Sequence, residues 1–278
     1  MIVHKKLANG FACIEINNSS AEAKIALQGA HLFHYERVGE EPILWLSEVS
    51  DFEAGKAIRG GVPVCWPWFG FNEDKTLPQH GFARTALWEF VGSDEVDEKT
   101  SSVTLKLTHS DETLKMWHYK FILELKITIS DKLVMELKTT NLDCESFVLT
   151  QALHTYFKVS HISHALIKGL DNKPYLDALT WKNEVQKGDI TFNQEVDRIY
   201  QKVDGEIVLS DKNRTIYIKN EGSSSVVVWN PWIEKTKRMS AMAPNAYEQM
   251  LCIESANAFD DFKVIKPKKS HILRVVIY

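Results

Sequence analysis

Cysteine is scarce in this chain: four residues among 278, Cys13, Cys65, Cys144 and Cys252, none of them in a CxxC pair. Such isolated positions argue against a metal or disulfide framework and for buried, reduced thiols. Long apolar runs are missing too. No stretch of 18 apolar residues exists to span a bilayer, and the opening MIVHKKLANG lacks the apolar core of a signal peptide, so a cytoplasmic location is expected. Neither sign of charge is in large excess: 33 Lys and Arg face 37 Asp and Glu, for a net charge of −4. Nothing global therefore draws the chain to nucleic acid or to an anionic membrane, and any bound anion must be held by a local cluster. The sequence contains no GxxxxGK[ST] phosphate loop, no GxGxxG turn and no GxSxG elbow. His31/His34 and His161/His164 are spaced i, i+3, which puts them on opposite faces of a strand, and no metal site is expected from them. A Pro/Ser-rich linker, a low-complexity tract and internal repeats are all absent, so residues 1–278 read as one domain.

What is present is alternation with a period of two. Phe121–Ser130 (FILELKITIS) alternates apolar and polar positions, and LVMELKTTN follows after Ser130-Asp131-Lys132, the signature of a hairpin. Similar signals occur at 11–16, 23–27, 43–46, 103–107 and 147–157, and again at 165–167, 215–218, 226–229 and 272–277. No window of a dozen residues carries a clean 3.6-residue apolar stripe, and helices do not alternate with strands, which argues against a parallel α/β sheet. The expected fold is all-β: a large antiparallel β-sandwich with long loops carrying the chemistry.

The most informative loop is AIRGGVPVCWPWFG (57–70) with LPQHGFAR (77–84). Its glycines and prolines suit neither a helix nor a packed strand, and Trp66, Trp68, Phe69 and Phe71 supply flat apolar walls. Arg59, next to Gly60-Gly61, presents a planar fork suited to carboxylate or phosphate, unless it serves a structural ion pair. Arg84 closes the same loop, and two arginines bracketing one aromatic segment favour an anion site. Gln79 and His80 offer an amide and an imidazole that match sugar hydroxyls, or are simply solvated. His154 lies in an apolar strand, LTQALHTYF, as a core residue or a general acid. Glu254 lies in another, MLCIES, where a carboxylate must sit at a strand end, be paired, or face a wet pocket. A desolvated glutamate with a raised pKa would serve as a base near neutral pH. The basic turn KPKKS (266–270) is explained by solvation.

Taken in order, AIRGGVPVCWPWFG, LPQHGFAR, LTQALHTYF, EVDRIY (195–200), VVVWNPW (226–232) and the late CIE resemble the hexose-6-phosphate mutarotases. These form the glucose-6-phosphate 1-epimerase branch of the galactose-mutarotase-like superfamily, and the likeness runs from about residue 10 to the C-terminus. The resemblance implies a β-supersandwich, no metal and no cofactor. It implies that His154 is the general acid and Glu254 the general base, and that Arg59, Gln79 and Arg84 line a sugar-phosphate site. Asp197 would bind a sugar hydroxyl, and His80 sits where the wider superfamily has a second substrate-contacting histidine. The expected partner is a small sugar phosphate, glucose 6-phosphate first, with no nucleic acid or membrane and a monomeric protein. Anomer exchange of free aldoses and non-catalytic binding of a sugar phosphate are the alternatives.

Overall fold

The computed structural model describes all 278 residues. Every ladder between its strands is antiparallel. One eight-stranded sheet runs in the order Leu166–Lys168, Ile207–Ser210, Thr215–Glu221, Ser270–Ile277, Leu133–Asn141, Phe121–Ile129, Ser101–Thr108, Glu89–Glu95. The expected hairpin is its centre: Phe121–Ile129 pairs with Leu133–Asn141, and in both strands every second residue is buried. A second eight-stranded sheet is ordered Lys182–Val185, Pro174–Asp177, Val196–Tyr200, Ser225–Asn230, Met250–Asn257, Gln151–Leu153, Val64–Cys65, with Tyr156–Lys158 also pairing to Met250–Asn257. A four-stranded sheet of Ile2–Lys6, Ala12–Asn17, Ala21–Ala26 and His31–Arg37 and a two-stranded ribbon complete the molecule. The fold is a β-sandwich of the expected class.

One core cluster of 51 buried side chains joins the three large sheets. Ile14 and Ile25 enter it from the four-stranded sheet, Leu123, Leu125 and Ile127 from the first eight-stranded sheet, and Val226, Val228, Leu251 and Ile253 from the second. Ser225–Asn230 and Met250–Asn257 are buried at every position. Their sheet is therefore covered on both faces, one by the core and the other by the site described below.

Several expectations need correction. Residues 147–157 do not form one strand: Phe147–Leu149, Gln151–Leu153 and Tyr156–Lys158 are separate, interrupted at Thr150 and at His154-Thr155. The main chain at His154 and Tyr156 bonds instead to Pro63 and Gly61 of the glycine-rich loop. Residues 43–46 make only single bridges, Leu44 to Phe157 and Leu46 to Gly60. Two helices occur, Asp111–Met116 and Trp232–Arg238, each too short to show a dozen-residue stripe. Cys144 is exposed, whereas the other three thiols are buried as expected. It sits in the polar turn after Asn141, where nothing packs over it.

The aromatic loop is held by close backbone approach at two glycines. Gly81, at φ +72°, passes so close to Trp66 that a Cβ would lie 1.9 Å from its carbonyl oxygen. Gly61, at φ +62°, would place a Cβ 2.3 Å from the Leu32 carbonyl. Gly81→Ala is expected to lower Tm by roughly 10 °C or more. The left-handed φ alone costs about 1–3 kcal/mol, the overlap adds to it, and each kcal/mol moves Tm by about 2–4 °C in a chain of this size. Thermal unfolding followed by circular dichroism checks this; an unchanged Tm would mean the loop can move aside.

Candidate active site

Strand register assembles the site. Along Met250–Asn257, Leu251 and Ile253 face the core while Met250 and Cys252 join a second, smaller cluster on the opposite face, so period-two alternation puts Glu254 on that opposite face. Asp197 is opposite Trp229, Trp229 opposite Cys252, and Cys252 opposite Tyr156. Cross-strand partners share a face, so these four form one row. Val227 opposite Glu254 begins the next. His154 reaches this face from the two-residue gap in its strand, which frees its side chain from sheet alternation.

His154 Nε2 stands 3.2 Å from Glu254 Oε1, with the glutamate side chain 1% exposed and the histidine 11%. Burial pushes Glu254 well above the ordinary value of 4.5, and the nearby Asp197 carboxylate pushes it further, against the pull of Arg84. Burial also drives His154 down to about 3, reinforced by the positive charge of Arg84. Each group resists its charged form, so the pair holds its one proton to a higher pH than an ordinary carboxyl would. Glu254 Oε2 and His154 Nδ1 are buried and have no hydrogen-bond partner in the protein. Such atoms are costly to leave unmade and mark where a polar ligand would be received.

The walls are aromatic and cationic. Tyr156 stacks on the His154 ring with centroids 4.9 Å apart and planes 15° from parallel, and Trp45 stacks on the Tyr156 ring at 5.8 Å. Trp229 meets His154 and Tyr156 edge-on, each at 6.0 Å. Arg59 donates from Nη1 to the Tyr156 hydroxyl at 3.3 Å, and its Nε is buried without a partner. Arg84 donates from Nη2 to the Gln79 carbonyl at 2.7 Å. Neither arginine has a carboxylate within ion-pair distance, whereas Arg37 and Arg274 do. The structural ion pair considered for Arg59 is thus not formed.

His80 stands edge-on to His154, centroids 5.9 Å apart. The Gly70 amide donates to its Nδ1 at 3.1 Å. Burial and the Arg84 charge hold its pKa well below 6.5, so the ring is neutral. With Nδ1 accepting, the ring proton is on Nε2, which makes His80 a hydrogen-bond donor. Gln79 is exposed, and its recorded contact is the carbonyl that holds Arg84. Asp197 is half-buried and pairs with Lys235 at 3.4 Å. No three His, Cys, Asp or Glu side chains are grouped so as to hold a metal ion.

The chain matches a known family. The aldose 1-epimerase family model covers residues 12–278. The chain belongs to the aldose 1-epimerase family. Membership makes it an isomerase of the epimerase class. A relative from Escherichia coli strain K12, named "Putative glucose-6-phosphate 1-epimerase", is 37% identical over 270 residues, covering 95% of this chain and 89% of that protein. A crystal structure from Salmonella typhimurium, described as a "putative mutarotase", superposes with a TM-score of 0.93 at 32% identity, covering 99% of this chain and 92% of the other. A galactose mutarotase related enzyme from Lactobacillus acidophilus superposes at TM-score 0.74 with 15% identity, covering 95% and 96% of the two chains. At that identity the likeness is one of fold. No helix of this aldose 1-epimerase family member is long and apolar enough to cross a membrane.

Of the residues expected from the sequence, His154 and Glu254 touch, and Arg59 and Arg84 both act electrostatically on His154 and on His80. Asp197 acts on Glu254 from two strands away, across Ser225–Asn230. Gln79 is the outlier, present at the rim through its backbone. Sequence reasoning missed Tyr156, Trp45, Trp229 and Lys235. Tyr156 had a signal, since it follows His154 by two residues in the quoted motif. Lys235, in a short polar helix, had none.

Proposed function

We propose that the protein interconverts the α and β anomers of a hexose 6-phosphate, glucose 6-phosphate first, using Glu254 and His154 as base and acid. The observation that carries this reading is the buried His154–Glu254 contact at 3.2 Å. In the ionised form of the pair, Glu254 takes the proton of the C1 hydroxyl while His154 gives one to the ring oxygen. The C1–O5 bond breaks and the aldehyde forms, leaving a protonated glutamate and a neutral histidine. That is the same one-proton pair with the proton on the other partner. Rotation about C1–C2 presents the other carbonyl face; O5 attacks C1, returns its proton to His154, and Glu254 reprotonates O1. No proton is exchanged with solvent, and no covalent intermediate is needed.

The phosphate reading rests on two arginines beside the pair without carboxylate partners. The phosphate is remote from C1, so these charges contribute binding and specificity, while positioning and the two proton transfers supply the rate. His80, as a neutral donor, and Asp197, as an acceptor, suit sugar hydroxyls. The relatives' names agree with this substrate class.

A pH profile of kcat at saturating substrate is expected to be bell-shaped. The acid limb is low, because a second proton on the pair must overcome the environment that holds His154 near 3. The alkaline limb appears where the pair loses its only proton, above the ordinary range of a carboxyl. Anomer exchange measured by NMR saturation transfer from pH 4 to 10 gives the profile. Activity that simply rises through pH 6.5 to a plateau would instead point to a lone, ordinary histidine base.

A further inference from the structure

One lysine stands at the edge of the site. Lys235 projects from the helix Trp232–Arg238, with Nζ 2.9 Å from Glu195 and 3.4 Å from Asp197, and lies 5.8 Å from the Trp229 ring centroid. Its side chain is 33% exposed, and both carboxylates are 25% exposed. An ion pair on an open surface contributes little, but here the two acids and the ring that contacts His154 surround one cation. We infer that Lys235 is a positioning residue that keeps Asp197 ionised and aimed into the site, so that Asp197 accepts a sugar hydroxyl instead of taking up a proton itself. The inference rests on the function proposed above.

Asp197 faces Glu195 on its own chain segment and Asp177 from the neighbouring strand; from Met250–Asn257 it faces Glu254 and Cys252, and from the helix Lys235. Three of these five groups are carboxylic acids, one is a neutral thiol, and only Lys235 is a cation. Burial raises Asp197 above 3.8, Glu195 and Asp177 raise it further, and only Lys235 opposes them. Without the ammonium, nothing opposes the burial and the Glu195 and Asp177 charges that raise Asp197, and a carboxyl so placed holds its proton to higher pH. A protonated Asp197 is a poor hydroxyl acceptor. Lys235 also stands beside Trp229, so its removal loosens the wall behind His154.

The test is the acid limb of kcat/KM, which reports the free enzyme, in Lys235→Met, Lys235→Gln and Lys235→Arg. The first two are expected to move the acid limb up by about 1–2 pH units, the usual effect of one close opposite charge. Lys235→Arg keeps the original limb. On an Asp197→Asn background, Lys235→Met moves nothing. The ionisation of the substrate phosphate is common to all profiles and cancels. A uniform fall in rate with the acid limb unmoved would overturn the inference, because loss of structure alone scales the profile without shifting it. A second readout is independent of turnover: titration of the Asp197 carboxyl by carbon NMR, assigned with Asp197→Asn, must shift upward in Lys235→Met. If the wild type accelerates no anomer exchange, the functional reading fails, and this titration still decides the role of Lys235.

Discussion

Replacing Glu254 by glutamine is expected to slow enzyme-catalysed anomer exchange of glucose 6-phosphate by on the order of 10²–10⁴-fold, the contribution of one positioned proton transfer. The amide keeps the shape and can still bond His154, but it cannot take the C1 hydroxyl proton. The same change is expected to stabilise the fold, and the sign follows from proton binding. Glu254 titrates well above its unfolded value of 4.5, so above that pH the native protein holds a proton that the unfolded chain has released. Stability from this group is complete below 4.5 and declines as pH rises through the native value. Glutamine has no such decline, so the Tm advantage of Glu254→Gln should be near zero at pH 4.5 and grow towards pH 8, by about 2–4 °C for each kcal/mol recovered. Activity assays and thermal melts of the same preparation check both halves. A variant that loses activity and stability together at pH 8 would mean that Glu254 is a structural carboxylate, ionised and well paired.

Arg59→Ala and Arg84→Ala are expected to separate phosphorylated from free sugar. A hydrogen bond to a charged group contributes about 1.5–3 kcal/mol, and 1.4 kcal/mol is tenfold, so each variant should lose roughly 10–100-fold in kcat/KM for glucose 6-phosphate. Free glucose, which has no phosphate to hold, should change by less than about threefold in Arg84→Ala. Arg59 differs from Arg84 in one respect, since it also bonds the Tyr156 hydroxyl under the His154 ring. Arg59→Ala is therefore expected to lower kcat as well as raise KM, while Arg84→Ala should act mainly through KM. Equal losses on both sugars would contradict a phosphate site and favour an enzyme of free aldoses.

Much of this was legible in the sequence. Alternation in Phe121–Ile129 and Leu133–Asn141 reports one buried face, so the hairpin and the sandwich could be read directly. Alternation failed where both faces are covered. In Met250–Asn257 every residue is buried, and only the register across four strands reveals that Glu254 shares a face with Trp229, Tyr156 and Asp197. His154 was visible as a residue, but the strand break that aims it at Glu254 is set by Gly61 and Pro63, some ninety positions earlier. The arginines were marked by the glycines around them. What marked them as free, the lack of any carboxylate partner, is a property of space and not of spacing. Lys235 belongs to the same category: a charge run in a short helix looks solvated until its two acids and the Trp229 ring are placed around it.

The most direct test of the central claim is saturation transfer between the α and β anomers of glucose 6-phosphate, with wild type, His154→Asn and Glu254→Gln at equal concentration and neutral pH. The account predicts exchange well above the buffer rate with wild type, loss of at least a hundredfold of that excess in either variant, and little further loss when the two are combined, since the pair works as a unit. Exchange at the buffer rate with wild type, or undiminished exchange in either variant, would contradict it.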